Sequence, residues 1–301
     1  MNYKKIIRSQ EMRLKILRIL EFLPDEQVIK FQYKIATGRK LNLKNPVRFT
    51  EKIQWYKLYY RDPLMTKCAD KYRVREYVKE KGYEDILIPL YGAYERAEDI
   101  DFDKLPDKFV LKVNNGSHTN IFCDDKSKID KDLIIKTLNN WLKKRTVKAG
   151  REWAYYNIKP MIICEKYLKK DEYNDLMDYK FFCFNGKPFC LYVISDRFVK
   201  DGIKLGIYDI DFNKLPYQRS DIKGLNYDIT KPKNFDRMIE IAEVLSKDFP
   251  HVRVDLYNID GDIYFGELTF YDGSGYKGFI PDEFDFILGE KFNYQYIEMR
   301  T

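Results

Sequence analysis

The sequence predicts an α+β fold, a helical entry followed by mixed hairpins and helices. Three observations carry this. Residues 1–60 place apolar side chains at helical spacing. Beyond residue 86, short apolar runs alternate with polar, glycine-containing turns. Two such turns, Asn185-Gly186 and Asn258 to Gly261, join neighbouring runs into hairpins. No internal repeat or low-complexity tract interrupts the pattern.

Each element has its own signal. Ile16, Ile19, Leu20 and Leu23 form one helical stripe, and Leu23-Pro24-Asp25 separates that helix from a second, which Gly38 ends. Thr50 is placed to cap a third helix carrying Ile53, Trp55, Tyr56 and Leu58. A helix over 71–81 takes Asp70 as its cap and stops at Gly82. Residues 86–94 and 108–113 read as strands, the second ending in the polar turn Asn114-Asn115-Gly116-Ser117-His118-Thr119-Asn120 before a strand at 121–123. A helix follows over 130–147, then a strongly apolar strand over 161–168. Residues 178–184 and 188–195 make the Asn-Gly hairpin, 204–210 another strand, and 232–249 a helix with Met238, Ile239, Ala242 and Leu245 inward. The last hairpin pairs 252–257 with 263–269.

That last hairpin is the most informative stretch, because Arg253, Asp255 and Glu267 interrupt apolar strands. Buried carboxylates are costly unless a positive charge meets them. A Mg²⁺ that also holds nucleotide phosphates is one answer. The plain alternative is an Arg–Asp ion pair with a solvent-facing Glu. Side chains alternate along a strand, so Arg253 and Asp255 share a face, as do Glu267 and Thr269. Both pairs meet on one face only if the connection has an odd length or a bulge. A three-residue loop with Gly261 left-handed satisfies this; a two-residue Asp260-Gly261 turn alone would separate them.

Composition excludes several classes. At 301 residues, 45% apolar and 34% charged, the chain can bury a sizeable core. Its net charge of +7 suits an acidic or phosphate-rich substrate, while no arginine-rich arm, zinc finger or RNA-binding aromatic motif points to nucleic acid. Cys68, Cys123, Cys164, Cys183 and Cys190 form no CxxC pair and read as reduced core thiols of a cytoplasmic protein. His118 and His251 are too few for a His/Cys zinc site and leave little choice of base for a Ser-His-Asp triad. No run approaches the roughly twenty apolar residues of a membrane span. Residues 1–23 are basic and amphipathic, with a peripheral contact at the inner membrane face as one role and packing on the protein as the other.

Three further motifs carry candidate chemistry. Lys112 leaves the apolar run Phe109-Val110-Leu111 beside Asn115, Gly116 and Ser117, whose backbone N–H groups suit an anion, although no Walker A sequence exists. Ile162-Ile163-Cys164-Glu165-Lys166-Tyr167-Leu168 can offer an adenine edge backbone groups and the Glu165 carboxylate. Asp178-Tyr179-Lys180, with Asp196-Arg197 beyond the next strand, can brace a triphosphate. The alternatives are a solvated strand-end lysine, an ordinary charged loop and a cross-strand salt bridge.

Taken together and in order, these motifs resemble the TupA-like ATP-grasp family of bacterial polysaccharide biosynthesis. Asn45-Pro46, Phe49-Thr50-Glu51-Lys52-Ile53-Gln54-Trp55, Ala69-Asp70-Lys71-Tyr72, Leu105-Pro106, Asp178 through Lys187, Arg253 through Tyr257 and Gly266-Glu267-Leu268-Thr269-Phe270 extend the match over about residues 40 to 290. The resemblance implies an ATP-grasp fold with the nucleotide between two α+β subdomains. It implies a helical region at 1–60 and an ATP-grasp domain at 61–301, subdivided at about 106–168 and 169–301. Lys112 would contact ATP, with Asn115, Gly116, Ser117, Asp178 and Lys180, and Glu165, Lys166, Tyr167 and Leu168 would form the adenine hinge. Asp255 and Glu267 would hold Mg²⁺, with Thr269 standing where many such ligases have Asn. Arg253, Lys180 and Arg197 would act in catalysis.

The implied activity is an ATP-dependent carboxylate–amine ligase forming an amide through an acyl phosphate. Its partners would be a carboxyl-bearing sugar or glycan precursor and an amino acid or amine. The alternatives are an ATP-grasp kinase of a sugar or polyol and a non-catalytic glycan-binding assembly protein.

Overall fold

A computed structural model of the chain describes residues 22–116, 119–143, 150–170, 175–196 and 202–293. Helices α1 (Asp25–Thr37), α2 (Phe49–Tyr59), α3 (Pro63–Ala69) and α4 (Val74–Glu80) lead into β1 (Leu90–Tyr94), β2 (Phe109–Val113) and β3 (Asn120–Cys123). Helix α5 (Lys131–Leu142) precedes β4 (Ile162–Lys166), β5 (Asp178–Phe184), β6 (Lys187–Ser195), β7 (Lys204–Asp209), β8 (Gln218–Arg219) and β9 (Lys223–Gly224). Helix α6 (Phe235–Ser246), β10 (His251–Ile259), β11 (Asp262–Thr269), β12 (Phe279–Ile280) and α7 (Glu283–Lys291) complete the order.

The chain divides into two compact units. One comprises Pro63–Thr146 and Ala154–Lys170. Its four-stranded sheet has the order β1-β4-β2-β3, with α5 laid on it through Ile134 and Leu138 against Phe109, Leu111 and Ile162. The other comprises Met1–Asp62, Val147–Trp153 and Asp171–Thr301. Its six-stranded sheet has the order β11-β10-β5-β6-β7-β9.

The two faces of the six-stranded sheet have different jobs, as the period-two alternation demands. Helix α6 covers one face, with Phe235 against Phe181 at 5.8 Å and Met238, Ile241, Ala242 and Leu245 buried. The other face carries Asp178, Lys180 and Phe182 of β5 opposite Tyr257, Asp255 and Arg253 of β10. Its far end is closed by α2, where Phe49 meets His251 at 5.1 Å and Phe182 at 5.9 Å.

Three expectations from sequence are corrected. Thr50 does not cap α2, which starts at Phe49; its hydroxyl and backbone N–H donate to Asp285 at 2.8 and 2.9 Å. Glu51 takes the helix-start role by accepting from the Val47 and Arg48 backbones at 3.1 and 3.3 Å. Asp70 accepts from Tyr72 and Arg73 at 2.8 and 3.3 Å, so it caps a turn and α4 begins later, at Val74. The strand expected over 86–94 is only β1, because Pro89 lacks the N–H a ladder needs and residues 84–86 form a 3₁₀ turn.

His251 is fully buried, with Nδ1 donating to the Cys183 carbonyl at 3.0 Å. Burial lowers its pKa from 6.5 to about 4. Above pH 6.5 the ring is neutral in both folded and unfolded chains. As pH falls from 6.5 towards 4, only the unfolded chain takes up the proton, so stability is lost across that window. The predicted contribution is about 3 kcal/mol. Urea denaturation of wild type and His251→Gln should show the variant's stability falling less steeply between these pH values; parallel curves would contradict it.

Candidate active site

The last hairpin closes through a two-residue turn, with Ile259 paired to Asp262 and both Asp260 and Gly261 at positive φ (55° and 109°). Such a turn alone would put the two charged pairs on opposite faces. A bulge at Gly266 reverses this: Asp255 pairs with Glu267, whereas Leu256 pairs with Phe265. Arg253 then lies opposite Thr269, and all four side chains share one face. Only glycine fits the bulge, since a Cβ there would sit 2.9 Å from the Asp255 carbonyl oxygen.

On that face the charges interlock. Arg253 donates from Nε to Asp255 Oδ1 and from Nη2 to Asp255 Oδ2, both at 2.7 Å, a bidentate pair. Its Nη1 donates to Asp272, and Nη2 reaches Thr269 Oγ1 at 3.1 Å and Glu267 Oε1 at 3.6 Å. Lys180 donates to the same Asp255 carboxylate and stands 3.5 Å from Asp178. Arg219 approaches Asp272 at 3.8 Å while gripping Asp221 with two bonds of 2.9 and 3.0 Å. Burial alone would lower the Arg253 pKa; the Asp255 and Asp272 carboxylates outweigh it and hold the guanidinium well above its ordinary value.

Arg253, Asp255 and Asp272 are buried, whereas the Glu267 side chain is 43% exposed. The ion pair and the more open Glu of the plain alternative are thus both present. The cluster exceeds that alternative by burying Asp178 and Asp272 as well. Mg²⁺ is commonly held by one or two carboxylates plus phosphate oxygens and water. Asp255 and Glu267, directly cross-strand, fit that donor set, and Thr269 Oγ1 donates to Glu267 Oε1 at 3.1 Å. No group of three or more His, Cys, Asp or Glu among the described residues forms a self-sufficient metal cage.

The loop beyond Thr269 supplies Asp272. Gly273, Ser274 and Gly275 all have positive φ (51°, 58° and 64°). Two α2 side chains hold them there: Gln54 donates to the Ser274 and Gly275 carbonyls at 3.0 and 2.8 Å, and Lys57 to the Ser274 carbonyl at 2.7 Å. Burial lowers the Lys57 pKa to about 7.

The other unit carries a second constellation. Lys112 Nζ meets Glu165 Oε2 at 2.5 Å, and Arg75 reaches Glu165 Oε1 at 3.4 Å. Lys166 is exposed at the strand end, Tyr167 packs edge-on to Phe122 at 6.4 Å, and Leu168 is buried. Asn115 and Gly116 are half-buried, and the Gly116 carbonyl accepts from Lys71 at 2.8 Å. The fully buried Asn114 sets this turn, donating to Asp70 at 2.9 Å and accepting from the Met161 backbone at 2.8 Å. Ser117 and Arg197 lie outside the described residues.

Of the residues that sequence assigned to catalysis, cofactor binding and metal, the structure brings Asp178, Lys180, Arg253, Asp255, Glu267 and Thr269 into one cluster, while Lys112 and Glu165 pair in the other unit. It missed Asp272, Arg219, Arg75 and Asn114. Asp272 had a signal, a carboxylate directly before Gly-Ser-Gly; Arg219 and Arg75 had none, because tertiary folding alone brings them in.

A family model described as TupA-like ATPgrasp matches residues 51–293. The chain belongs to the TupA-like ATP-grasp family. The α+β architecture is accordingly that of an ATP-grasp fold. Among solved structures, the chain is similar to D-alanine–D-alanine ligase from Bacillus anthracis complexed with ATP, at 20% identity over 67% of this chain and 54% of that one (TM-score 0.41). It is similar to L-amino acid ligase from Bacillus licheniformis, at 16% identity over 90% and 57% of the respective chains (TM-score 0.44). The match to D-alanine–D-alanine ligase from Helicobacter pylori has 16% identity over 75% and 61% (TM-score 0.42). The chain thus spans a little over half the length of these proteins. No curated protein matches it.

Two outcomes are expected of this charged cluster. Asp255→Asn removes the shared anion from buried Arg253 and Lys180 and should destabilise the fold by about 3 kcal/mol or more in urea denaturation. An unchanged midpoint would mean that the cations do not depend on it. Gly266→Val overfills the bulge and should cost about 1–3 kcal/mol; a neutral result would show that the bulge tolerates a side chain.

Proposed function

We propose that this chain is an ATP-dependent carboxylate–amine ligase acting on a carboxyl-bearing sugar or glycan precursor in bacterial surface polysaccharide biosynthesis. The observation that carries the proposal is the buried Arg253, fixed between Asp255 and Asp272 with Glu267 across the strand pair. It supports chemistry in which positive charge meets an anion that develops during reaction. ATP-grasp family membership supports ATP as the phosphoryl donor.

In the proposed reaction, a substrate carboxylate oxygen attacks the γ-phosphorus, the bond to the β-phosphate oxygen breaks, and ADP leaves. The amine then attacks the acyl carbon, phosphate leaves with its bonding pair, and the amine loses a proton. Such transfer rests on positioning and charge neutralisation rather than on a protein nucleophile. The buried free thiols suit this division of labour: burial raises Cys183 to about 12, far from a reactive thiolate.

Asp255 and Glu267 would hold Mg²⁺, which neutralises phosphate charge when bound, with Thr269 orienting Glu267. Lys180 and Arg197 would brace the phosphates, with Asp178 beside Lys180 as part of the nucleotide site. Arg253 would stabilise the acyl phosphate and the following oxyanion. In the other unit, Lys112, Asn115, Gly116 and Ser117 would bind phosphate, and Glu165 to Leu168 the adenine edge. An amino acid or amine is the proposed second substrate.

No described helix is long and apolar enough to cross a membrane. The proposed setting is cytoplasmic, at the inner face of the membrane. Residues 1–23, for which membrane contact and packing on the protein are the two candidate roles, lie almost wholly outside the described residues.

Calorimetry with a non-hydrolysable ATP analogue should show binding that requires Mg²⁺. An amino-acid screen against a uronic acid should give ADP release with an amide product by mass. A phosphorylated sugar without an amide would establish the kinase instead. Because Glu267 is half-exposed, Glu267→Gln should keep its melting temperature yet slow turnover on the order of a hundredfold. Wild-type turnover in that variant would remove Glu267 from the site.

A further inference from the structure

A cavity of about 700 Å³ lies in the N-terminal part of the six-stranded unit, away from the residues given roles above. Its wall is basic: Lys30 and Lys34 stand on α1, Lys40 and Lys44 on the following loop, and Glu26 is the one acid among its lining residues. Two lysines are already engaged, Lys30 by Glu26 and Lys34 by the Gly38 carbonyl at 2.8 Å. Lys40 and Lys44 are exposed and make no hydrogen bond or ion pair with the described residues. Tyr59, 50% exposed, adds an aromatic face.

The loop bearing these lysines is built rather than slack. The buried Glu51 carboxylate accepts from the backbones of Asn42, Val47 and Arg48 at 3.3, 3.1 and 3.3 Å. Leu41 is buried against Ile29 and Tyr33, and Tyr276 packs on the same cluster. Tyr276 also donates to Gln32 of α1 at 2.7 Å. One short loop, from Asp272 to Tyr276, therefore joins the cavity's floor to the Arg253 cluster.

We propose that this cavity binds an acidic oligosaccharide, one whose sugars carry carboxylates. Its volume falls within the range of small-ligand sites, about 300–1,000 Å³. Ammonium groups are point charges without the fork that grips one phosphate bidentately. Spread over a helix and an opposing loop, they suit single charges spaced along a chain better than one multiply charged group. Tyr59 offers a stacking face for a sugar ring. The ligase reading enters only in making this sugar the substrate; binding itself needs no nucleotide.

The test is calorimetric titration of the full chain, without nucleotide, with trigalacturonate, maltotriose, tripolyphosphate and vesicles containing phosphatidylglycerol. Trigalacturonate should bind, and neutral maltotriose should bind about tenfold more weakly or not at all. The double variant Lys40→Glu, Lys44→Glu should lose about tenfold or more in trigalacturonate affinity. Its melting temperature, measured alongside, should match wild type. Tyr59→Leu, which keeps the charge, should weaken binding by a smaller factor.

No trigalacturonate binding up to about 10 mM would overturn the inference. So would equal affinity in the double variant, tighter binding of tripolyphosphate, or binding to vesicles alone. A parallel titration with Mg²⁺ and the ATP analogue separates the two ideas. Its failure would count against the ligase, and loss of the saccharide signal against the cavity.

Discussion

One buried guanidinium organises this protein. Arg253 sits inside a β-sheet, where an uncompensated charge costs several kcal/mol. It is tolerable because Asp255 meets it bidentately and Asp272 meets its remaining edge. Every unusual backbone feature nearby serves this arrangement. The Gly266 bulge turns Glu267 and Thr269 onto the Arg253 face. The left-handed run at Gly273, Ser274 and Gly275 follows Asp272 directly. Gln54 and Lys57 of α2 hold that run from below, so the helical entry is part of the site's scaffold. A Cβ at Gly275 would overlap Ile53 and Gln54, which ties helix and loop together sterically as well.

The same logic divides the sheet. One face is apolar and spent on α6, where burial supplies stability. The opposite face holds three cations and four carboxylates, Lys180, Arg253 and Arg219 with Asp178, Asp255, Asp272 and Glu267. Replacing such a cluster by apolar residues is often neutral or stabilising, so stability alone does not account for it. The nucleotide binding proposed above would account for it. The other unit repeats the theme on a smaller scale, with Glu165 held between Lys112 and Arg75.

Sequence made much of this legible, for identifiable reasons. The Asn185-Gly186 turn and the period-two alternation fixed β5 and β6, and Gly38 marked the end of α1 through its left-handed conformation. Arg253, Asp255 and Glu267 stood out because charges inside apolar strands are costly. Their shared face was not decided by sequence: two-residue closure argued against it, and only the bulge, which depends on tertiary packing, restored it. Thr50 was misplaced because its side chain bonds Asp285, a partner distant in sequence. Arg219 and Arg75 escaped because local pattern does not show which distant side chains converge, whereas Asp272 was marked by the Gly-Ser-Gly that follows it. Asn114 escaped because its role is to satisfy backbone groups at 159 and 161 rather than to carry charge.

The central claim is that the carboxylates of Asp255 and Glu267 receive a divalent ion together with nucleotide phosphates. Manganese gives an anomalous X-ray signal that locates it directly. Crystals grown with Mn²⁺ and a non-hydrolysable ATP analogue should show the ion between these two carboxylates, with phosphate oxygens completing its shell. Nucleotide bound with the metal elsewhere, and the two carboxylates keeping their contacts with Arg253, Lys180 and Thr269, would contradict the account.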